Sequence, residues 1–374
     1  MISAGEASGD LHAANLVRAL RGLASDVMVK GMGSDQLREA GCDILVDCAD
    51  IAVVGIWEVL KNYSKIKTAL NRMVKELETS PPDLLVLVDY QEFNFRLAAK
   101  AKSLGIKVLF YISPQVWAWR PQRVHTIGEK IDHMAVLFPF EEKFYRDANI
   151  NCTFVGHPLV DEVKADKSRP QCLHDYDLAP ARQVVGLFPG SRKSEVARVL
   201  PILLKTAALL KRNRTGLQFV LPMASTIDET DIQPLLHHYP ELEVKAVRDK
   251  VYNVMQICDA IMTASGTATL EIALMGIPNT IVYRIAPLSY LILRRMMMIN
   301  TIGLSNIVAE KAIVKEFIQN DAQPNAIAAE VERLLDDKNY RQTMIKELNQ
   351  IRGKLGKEGG SHNVAELALK MICE

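Results

Sequence analysis

The sequence predicts an α/β protein of two doubly wound domains in series, each a parallel sheet wrapped by helices. Three observations carry this. The chain has 374 residues, 49% of them hydrophobic, too long for one compact core and comfortable for two. Short apolar or β-branched runs alternate with helix-period segments along most of it, the pattern of right-handed βαβ units. A stretch richer in Pro, charge and turn formers, about 156–182, separates two such series and reads as a linker.

In order, the first series contains "VMVKG", "LLVLV", "KVLFYI", "HMAVLF" and "TFVG", and the second "VVGLF", "LQFVL", "LEVKAV", "DAIMTA" and "NTIVYR". After Pro324 the strands cease and three helical stretches follow. The domains are placed at about 1–160 and 180–355, with a terminal helix near 360–374 a candidate to pack back on the first. There are no repeats and no low-complexity tracts.

Composition narrows the function. With 45 basic against 44 acidic residues and a net charge of +1, no overall field attracts nucleic acid, and any basic patch is local. The six cysteines (Cys42, Cys48, Cys152, Cys172, Cys258 and Cys373) are scattered without metal-ligand spacing. They read as reduced thiols, with no disulfide and no structural zinc expected. No apolar run approaches the ~18 residues of a membrane span, and "MISAGEASGD" lacks signal-peptide regions, so a cytoplasmic protein is expected.

Ligands of open parallel sheets gather where strands exit into helices. The first exit, Gly5-Glu6-Ala7-Ser8-Gly9-Asp10, reads equally as a binding loop or as a turn in which Ser8 or Asp10 caps the following helix. "VDYQEFNFR" puts Asp89, Gln91, Glu92 and Asn94 at the end of a buried strand, where a carboxylate is either functional or a helix cap. "ISPQVWAWRPQR" holds Trp117 and Trp119, either packing residues or the wall of a sugar and acyl site. His157, in "VGHP" at the domain boundary, is a hydrogen-bonded hinge residue or a base.

"VVGLFPGSRKSEV" delivers Gly190, Ser191 and Arg192 to a helix start. Backbone amides and the helix dipole there favour an anion, and a cation at that position opposes the dipole unless an anion arrives. It reads as a diphosphate cradle, with Ser191 as a simple cap the competing reading. "TASGTATLE" repeats the theme: Ser265, Gly266 and Thr267 open a helix that carries Glu271 one turn on. Two such turns in one domain suggest a nucleotide diphosphate.

"AGEASGD", "SPQVWAWR", "FVGHPLVD", "LFPGSR" and "ASGTATLE", in this order over nearly the whole chain, resemble the lipid-A-disaccharide synthase family. The resemblance implies an inverting glycosyltransferase of the type B fold, two Rossmann-like domains facing across a cleft. The implied reaction joins UDP-2,3-diacylglucosamine to 2,3-diacylglucosamine 1-phosphate, giving a β-1,6 disaccharide and UDP in lipid A biosynthesis. By motif, Asp89 matches the family's essential aspartate, Arg192 the arginine of "PGSR", Glu271 the glutamate of "SGTAxLE", and Asn306 in "GLSNIV" the asparagine of "lpNll". On the acceptor side or cleft stand Gly5, Glu6, Ser8, Gly9, Asn94, Trp117, His157 and Asn306. Two departures are visible: of the strand leading into "AGE" only Met1 to Ala4 remain, and the family's "DAPDFN" reads "DYQEFN", keeping Asp89 and Asn94 but placing Glu92 where the family has Asp.

The implied chemistry asks for one base, Asp89, and for stabilisation of departing UDP by Arg192 and the two helix starts, so neither cofactor nor metal is expected. Acylated substrates imply a peripheral protein on the inner face of the inner membrane, meeting its lipids. Val54, Ile56, Trp57 and Leu60, with Lys61, Lys65 and Lys67 behind them, read equally as an interfacial patch or a core helix. Arg294 and Arg295 beside Met296, Met297 and Met298 pose the same choice. A homodimer is admissible. The competing functions are a UDP-N-acetylglucosamine 2-epimerase-like enzyme and a non-catalytic nucleotide-sugar-binding protein.

Overall fold

The computed structural model describes residues 1–50, 63–286, 290, 294–295 and 301–373. They form two compact units, Met1–Pro158 with Leu355–Glu374, and Leu159–Lys354. In the first, the described strands are β1 (Ile2–Ala4), β2 (Lys30–Gly33), β3 (Asp43–Asp47), β4 (Leu84–Val88), β5 (Lys107–Tyr111), β6 (His133–Val136) and β7 (Cys152–Phe154). All are parallel, in the order β3-β2-β1-β4-β5-β6-β7. Helices cover both faces of such a sheet, which is why "LLVLV" is apolar at every position and buried throughout.

The second unit holds β8 (Val184–Phe188), β9 (Gln218–Pro222), β10 (Lys245–Val247), β11 (Ala260–Ala264), β12 (Asn279–Tyr283) and β13 (Glu316–Ile318). They are again parallel, in the order β10-β9-β8-β11-β12-β13. In each sheet the chain winds first to one side and then to the other. The reversal falls between β1 and β4 in the first unit and between β8 and β11 in the second. These are the points where loops diverge and leave room for a ligand.

Three details depart from the sequence reading. The apolar run "VMVKG" enters its strand only at Lys30, and Met28 before it is 93% exposed. The stretch read as a linker carries helices Leu159–Glu162 and Arg169–Asp175 and is built into the second unit. There Arg352 donates to the Val160 carbonyl at 2.9 Å and Arg169 to that of Gln256 at 2.9 Å. The edge strands β3 and β13 escaped that reading: the apolar run of β3, Ile44 to Val46, is short and flanked by Asp43 and Asp47, and β13 has three residues, one of them buried.

Helices Pro324–Asp336 and Lys338–Lys354 close the second unit. The last helix, Gly360–Cys373, lies on the first unit against helix Ala7–Leu23. Lys107 Nζ donates to the Met371 carbonyl and Asn363 Nδ2 to that of Val155, both at 2.9 Å. Among the described residues no helix is long and apolar enough to cross a membrane. Val54, Ile56, Trp57, Leu60 and Met296 to Met298 lie outside the described residues.

Candidate functional site

At the first switch point β1 pairs with β4, Ala4 opposite Val88, so the loops beginning at Gly5 and Asp89 leave the sheet side by side. Gly5 is required there: a Cβ would lie 2.2 Å from the ring of Tyr90. Asp89 and Tyr90 both take left-handed backbone, φ +48° and +44°. For residues with a Cβ this costs on the order of 1 kcal/mol or more each and persists only where the surroundings impose it. Asn94 imposes it here. Its side-chain amide donates to the Asp89 carbonyl at 2.7 Å and to that of Val88 at 3.3 Å, while its Oδ1 accepts from Ser3 Oγ at 2.7 Å.

Asn94 is wholly buried. The sequence reading placed it among cleft residues; its polar atoms are spent joining the ends of β1 and β4. Asp10 also departs from its reading: it sits inside helix Ala7–Leu23 and caps a neighbouring element, accepting the amides of Ser34 at 2.6 Å and Gln36 at 3.0 Å. Glu6 takes the N-cap position without a side-chain cap bond, and Ser8 is exposed in the first turn. Gly9 passes close to the Val88 carbonyl, where a Cβ would lie at 3.7 Å.

Half-buried Asp89 has its carboxyl pushed up to about 6, first by desolvation and second by the charge of Glu6, with a backbone bond from Tyr90 opposing. It lines a cavity of about 390 Å³ together with Ile112, Gln115, Trp119, Arg120 and Arg123. Ile112, at the exit of β5, has φ +72°, which is rare for a β-branched residue. Both strand exits into this cavity thus carry strained backbone.

Trp117 is not in that cavity wall; its neighbour Trp119 is. The Trp117 indole must satisfy its N–H, and Nε1 donates to Glu141 Oε1 at 3.0 Å while the ring meets Phe140 edge-on. Glu141 is 2% exposed and accepts the Phe138 amide through Oε2 at 3.1 Å. Burial raises its carboxyl to about 7 against these bonds. His157 is buried beside the Phe138 ring, its amide bound to the Leu355 carbonyl at 2.9 Å. Desolvation, with His12 adding to it, lowers its imidazole to about 3, so it is neutral and weakly basic near pH 7.

At the second switch point β8 pairs with β11, Phe188 opposite Thr263, which sets the loops at Pro189 and Ser265 next to each other. Gly190 has φ +106°, and a Cβ on it would lie 2.5 Å from Glu195 Oε2. Ser191 and Arg192 are exposed before helix Lys193–Asn213. The expectation of an uncompensated cation at this helix start is corrected: Arg192 donates to Glu195 Oε1 at 2.8 Å, and Lys193 pairs with Asp228 and Asp231 at 3.1 and 2.9 Å. Glu195 supplies the anion that the dipole and Arg192 both favour.

In the adjacent loop Ser265 Oγ donates to the Ile302 carbonyl at 3.0 Å, and Gly266 and Thr267 are exposed. Glu271 accepts from Tyr252 at 2.9 Å, and burial raises its carboxyl. Asn306, placed in the cleft by its motif, is 1% exposed. Its amide donates to Val314 O at 2.8 Å and Glu316 at 2.7 Å, and its oxygen accepts from Ile313 and Val314 at 2.9 Å. Glu316 accepts the amides of Ile302 and Gly303 at 2.9 Å. Asn306 therefore supports the segment to which Ser265 is bound. Asp175 and Asp177, an Asp-x-Asp pair, are held by Lys167 and Lys245 at 3.1 and 2.6 Å.

Sequence reasoning missed Glu141, Tyr252, Glu316 and the supporting role of Ser3. Glu195 alone had a local signal, a carboxylate three residues into the helix.

Known proteins bear on this arrangement. Residues 1–371 match the family model described as lipid-A-disaccharide synthetase. The chain is 47% identical over 372 residues to the lipid-A-disaccharide synthase of Trichlorobacter lovleyi, covering 100% of this chain and 97% of that one. Among solved structures, a UDP-GlcNAc 2-epimerase from Neisseria meningitidis bound to UDP-GlcNAc superposes with a TM-score of 0.68 at 13% identity, covering 99% of both chains. The glycotransferase of kitacinnamycin does so at 0.65 and 16%, covering 99% of this chain and 98% of that one. These two establish the fold shared by type B glycosyltransferases and UDP-GlcNAc epimerases. On the match along its whole length and on its close relative, the chain belongs to the lipid-A-disaccharide synthetase family and is a glycosyltransferase.

Proposed function

We propose that the chain transfers 2,3-diacylglucosamine from its UDP derivative to 2,3-diacylglucosamine 1-phosphate, with inversion, giving a β-1,6 disaccharide and UDP. The observation that carries this is Asp89: a half-buried carboxyl at a strand exit, raised to about 6, on strained backbone beside a cavity. A base is most effective when its pKa lies near the working pH and it is still ionised there. Asp89 takes the proton of the acceptor's 6-hydroxyl as that oxygen bonds to the donor's anomeric carbon and the bond to UDP breaks.

The second unit holds the nucleotide in this reading. Amides of the loops at Gly190–Arg192 and Ser265–Thr267 and the start of helix Lys193–Asn213 meet the diphosphate. Arg192 turns from Glu195 to the diphosphate, and Glu271 meets a ribose hydroxyl. The reaction is tested by mass spectrometry of the protein with both acylated substrates. A disaccharide that requires both supports it; conversion of the donor sugar without acceptor supports the epimerase reading suggested by the shared fold.

Surface association with the inner membrane, on its cytoplasmic side, rests on the sequence alone. Replacing Ile56, Trp57 and Leu60 by serine releases the protein from anionic vesicles while leaving it folded. An unfolded variant assigns these side chains to a core.

A further inference from the structure

We propose that Arg120, with Arg123 beside it, seats the phosphate of the acceptor, making the cavity at Asp89 specific for a sugar that carries an anion on its anomeric carbon. This rests on the reading of Asp89 as the base for the acceptor's 6-hydroxyl. The carbon that bears the hydroxymethyl group and the anomeric carbon flank the same ring oxygen. A phosphate on the latter therefore lies on the ring edge that presents the 6-hydroxyl. Placed near an ionised carboxylate without a cation, it would be repelled and would hinder ionisation of the base.

The cavity provides the cations. Asp89, Arg120 and Arg123 line the same space of about 390 Å³. Arg120 is exposed and has no carboxylate partner among the described residues. Arg123 pairs at 2.8 Å with Glu92, whose side chain is 74% exposed; so open a pair is weak and exchangeable. Neither arginine is spent on Asp89, whose carboxyl is shifted by burial and by Glu6. A guanidinium is charged at any working pH and binds phosphate through two parallel N–H bonds.

Position is fixed as well as charge. The Arg120 amide donates to the Val116 carbonyl at 2.8 Å, ending the single turn Val116–Trp119. That turn is anchored to the core by the bond between Trp117 and Glu141. The guanidinium is thus carried on a loop tied to the fold, with Trp119 as a neighbouring apolar wall.

The test is binding of a short-chain 2,3-diacylglucosamine 1-phosphate, and of the same sugar without phosphate, to wild-type protein and to Arg120→Ala, Arg120→Lys and Asp89→Asn in the presence of UDP. Removing phosphate weakens binding to wild type at least about tenfold, the scale of a charge-assisted bond. Arg120→Ala loses that preference, Arg120→Lys recovers part of it, and Asp89→Asn keeps it. Equal affinity of wild type for the two sugars, absence of binding, or an unchanged preference in Arg120→Ala overturns the proposal. Failure of the base reading shows separately, as undiminished turnover in Asp89→Asn.

Discussion

The side-chain amide of Asn94 donates to the main-chain carbonyl of Asp89 at 2.7 Å, and so holds the carboxylate residue in the left-handed region. Asn94 also ties this carbonyl to Ser3 on the neighbouring strand, so the position of Asp89 is set by the paired ends of β1 and β4. Asn94→Ala removes the donor to the Asp89 carbonyl and the acceptor of the Ser3 hydroxyl. The expected loss of stability is about 1 to 3 kcal/mol, measured by chemical denaturation. In the folded variant kcat is expected to fall more than the affinity for UDP, because the loops proposed to hold the nucleotide are built on the other unit.

With Asp89 as the proposed base, its elevated carboxyl sets an acid limb. Activity then needs the ionised form, and kcat/KM is expected to decline as pH falls through about 6. Burial is the larger cause of the rise, and Glu6→Gln removes the lesser one, the neighbouring charge, so the limb moves only modestly to lower pH. An acid limb that persists in Asp89→Asn would belong to another group.

Stability carries the opposite sign. Between 3.8 and about 6 the folded protein keeps the Asp89 proton that the unfolded chain has lost, so this group lowers stability as pH rises through the window. Asp89→Asn is therefore more stable than wild type above that window, by at most about 3 kcal/mol for a shift of this size. The difference vanishes at lower pH. Thermal denaturation at both ends of the window checks it.

The strands and loops at both switch points were legible because buried parallel strands are apolar at every position, as in Leu84–Val88 and Val184–Phe188. The supports of the loops were not. Asn94 reads as a ligand residue, and only the pairing of β1 with β4 shows that its partner is Ser3, 91 residues away. Glu316 meets Asn306 through a short edge strand with no apolar run to announce it. Trp117 and Trp119 look equivalent in the string "VWAW"; Glu141 distinguishes them by taking the indole N–H of the first. Arg192 looked unpaired because its dipole conflict was considered without the carboxylate one turn on.

Arg192→Ala weakens UDP binding, measured by calorimetry, and leaves the fold intact. A charge-assisted bond is worth about 1.5 to 3 kcal/mol. The lower end is expected, since the side chain is 72% exposed and must leave Glu195 to reach the diphosphate. Unchanged affinity would contradict the cradle.

Trp117 fluorescence reports the ionisation of Glu141, whose carboxyl sits near 7 and accepts the indole N–H. The expected signal titrates with a midpoint near 7 and is abolished by Glu141→Gln, which keeps the hydrogen-bonding reach without the charge. A titration that survives the substitution would place its source elsewhere.

The most direct measurement is single-turnover formation of the disaccharide by Asp89→Asn, with UDP affinity determined in parallel. The substitution preserves size and hydrogen-bonding reach, so the base can be lost while the site keeps its shape. A drop of about 10²- to 10⁴-fold in the chemical step with nearly unchanged UDP affinity is the result expected if Asp89 is the base. Near-normal disaccharide formation, or a loss that follows weakened UDP binding, would contradict it.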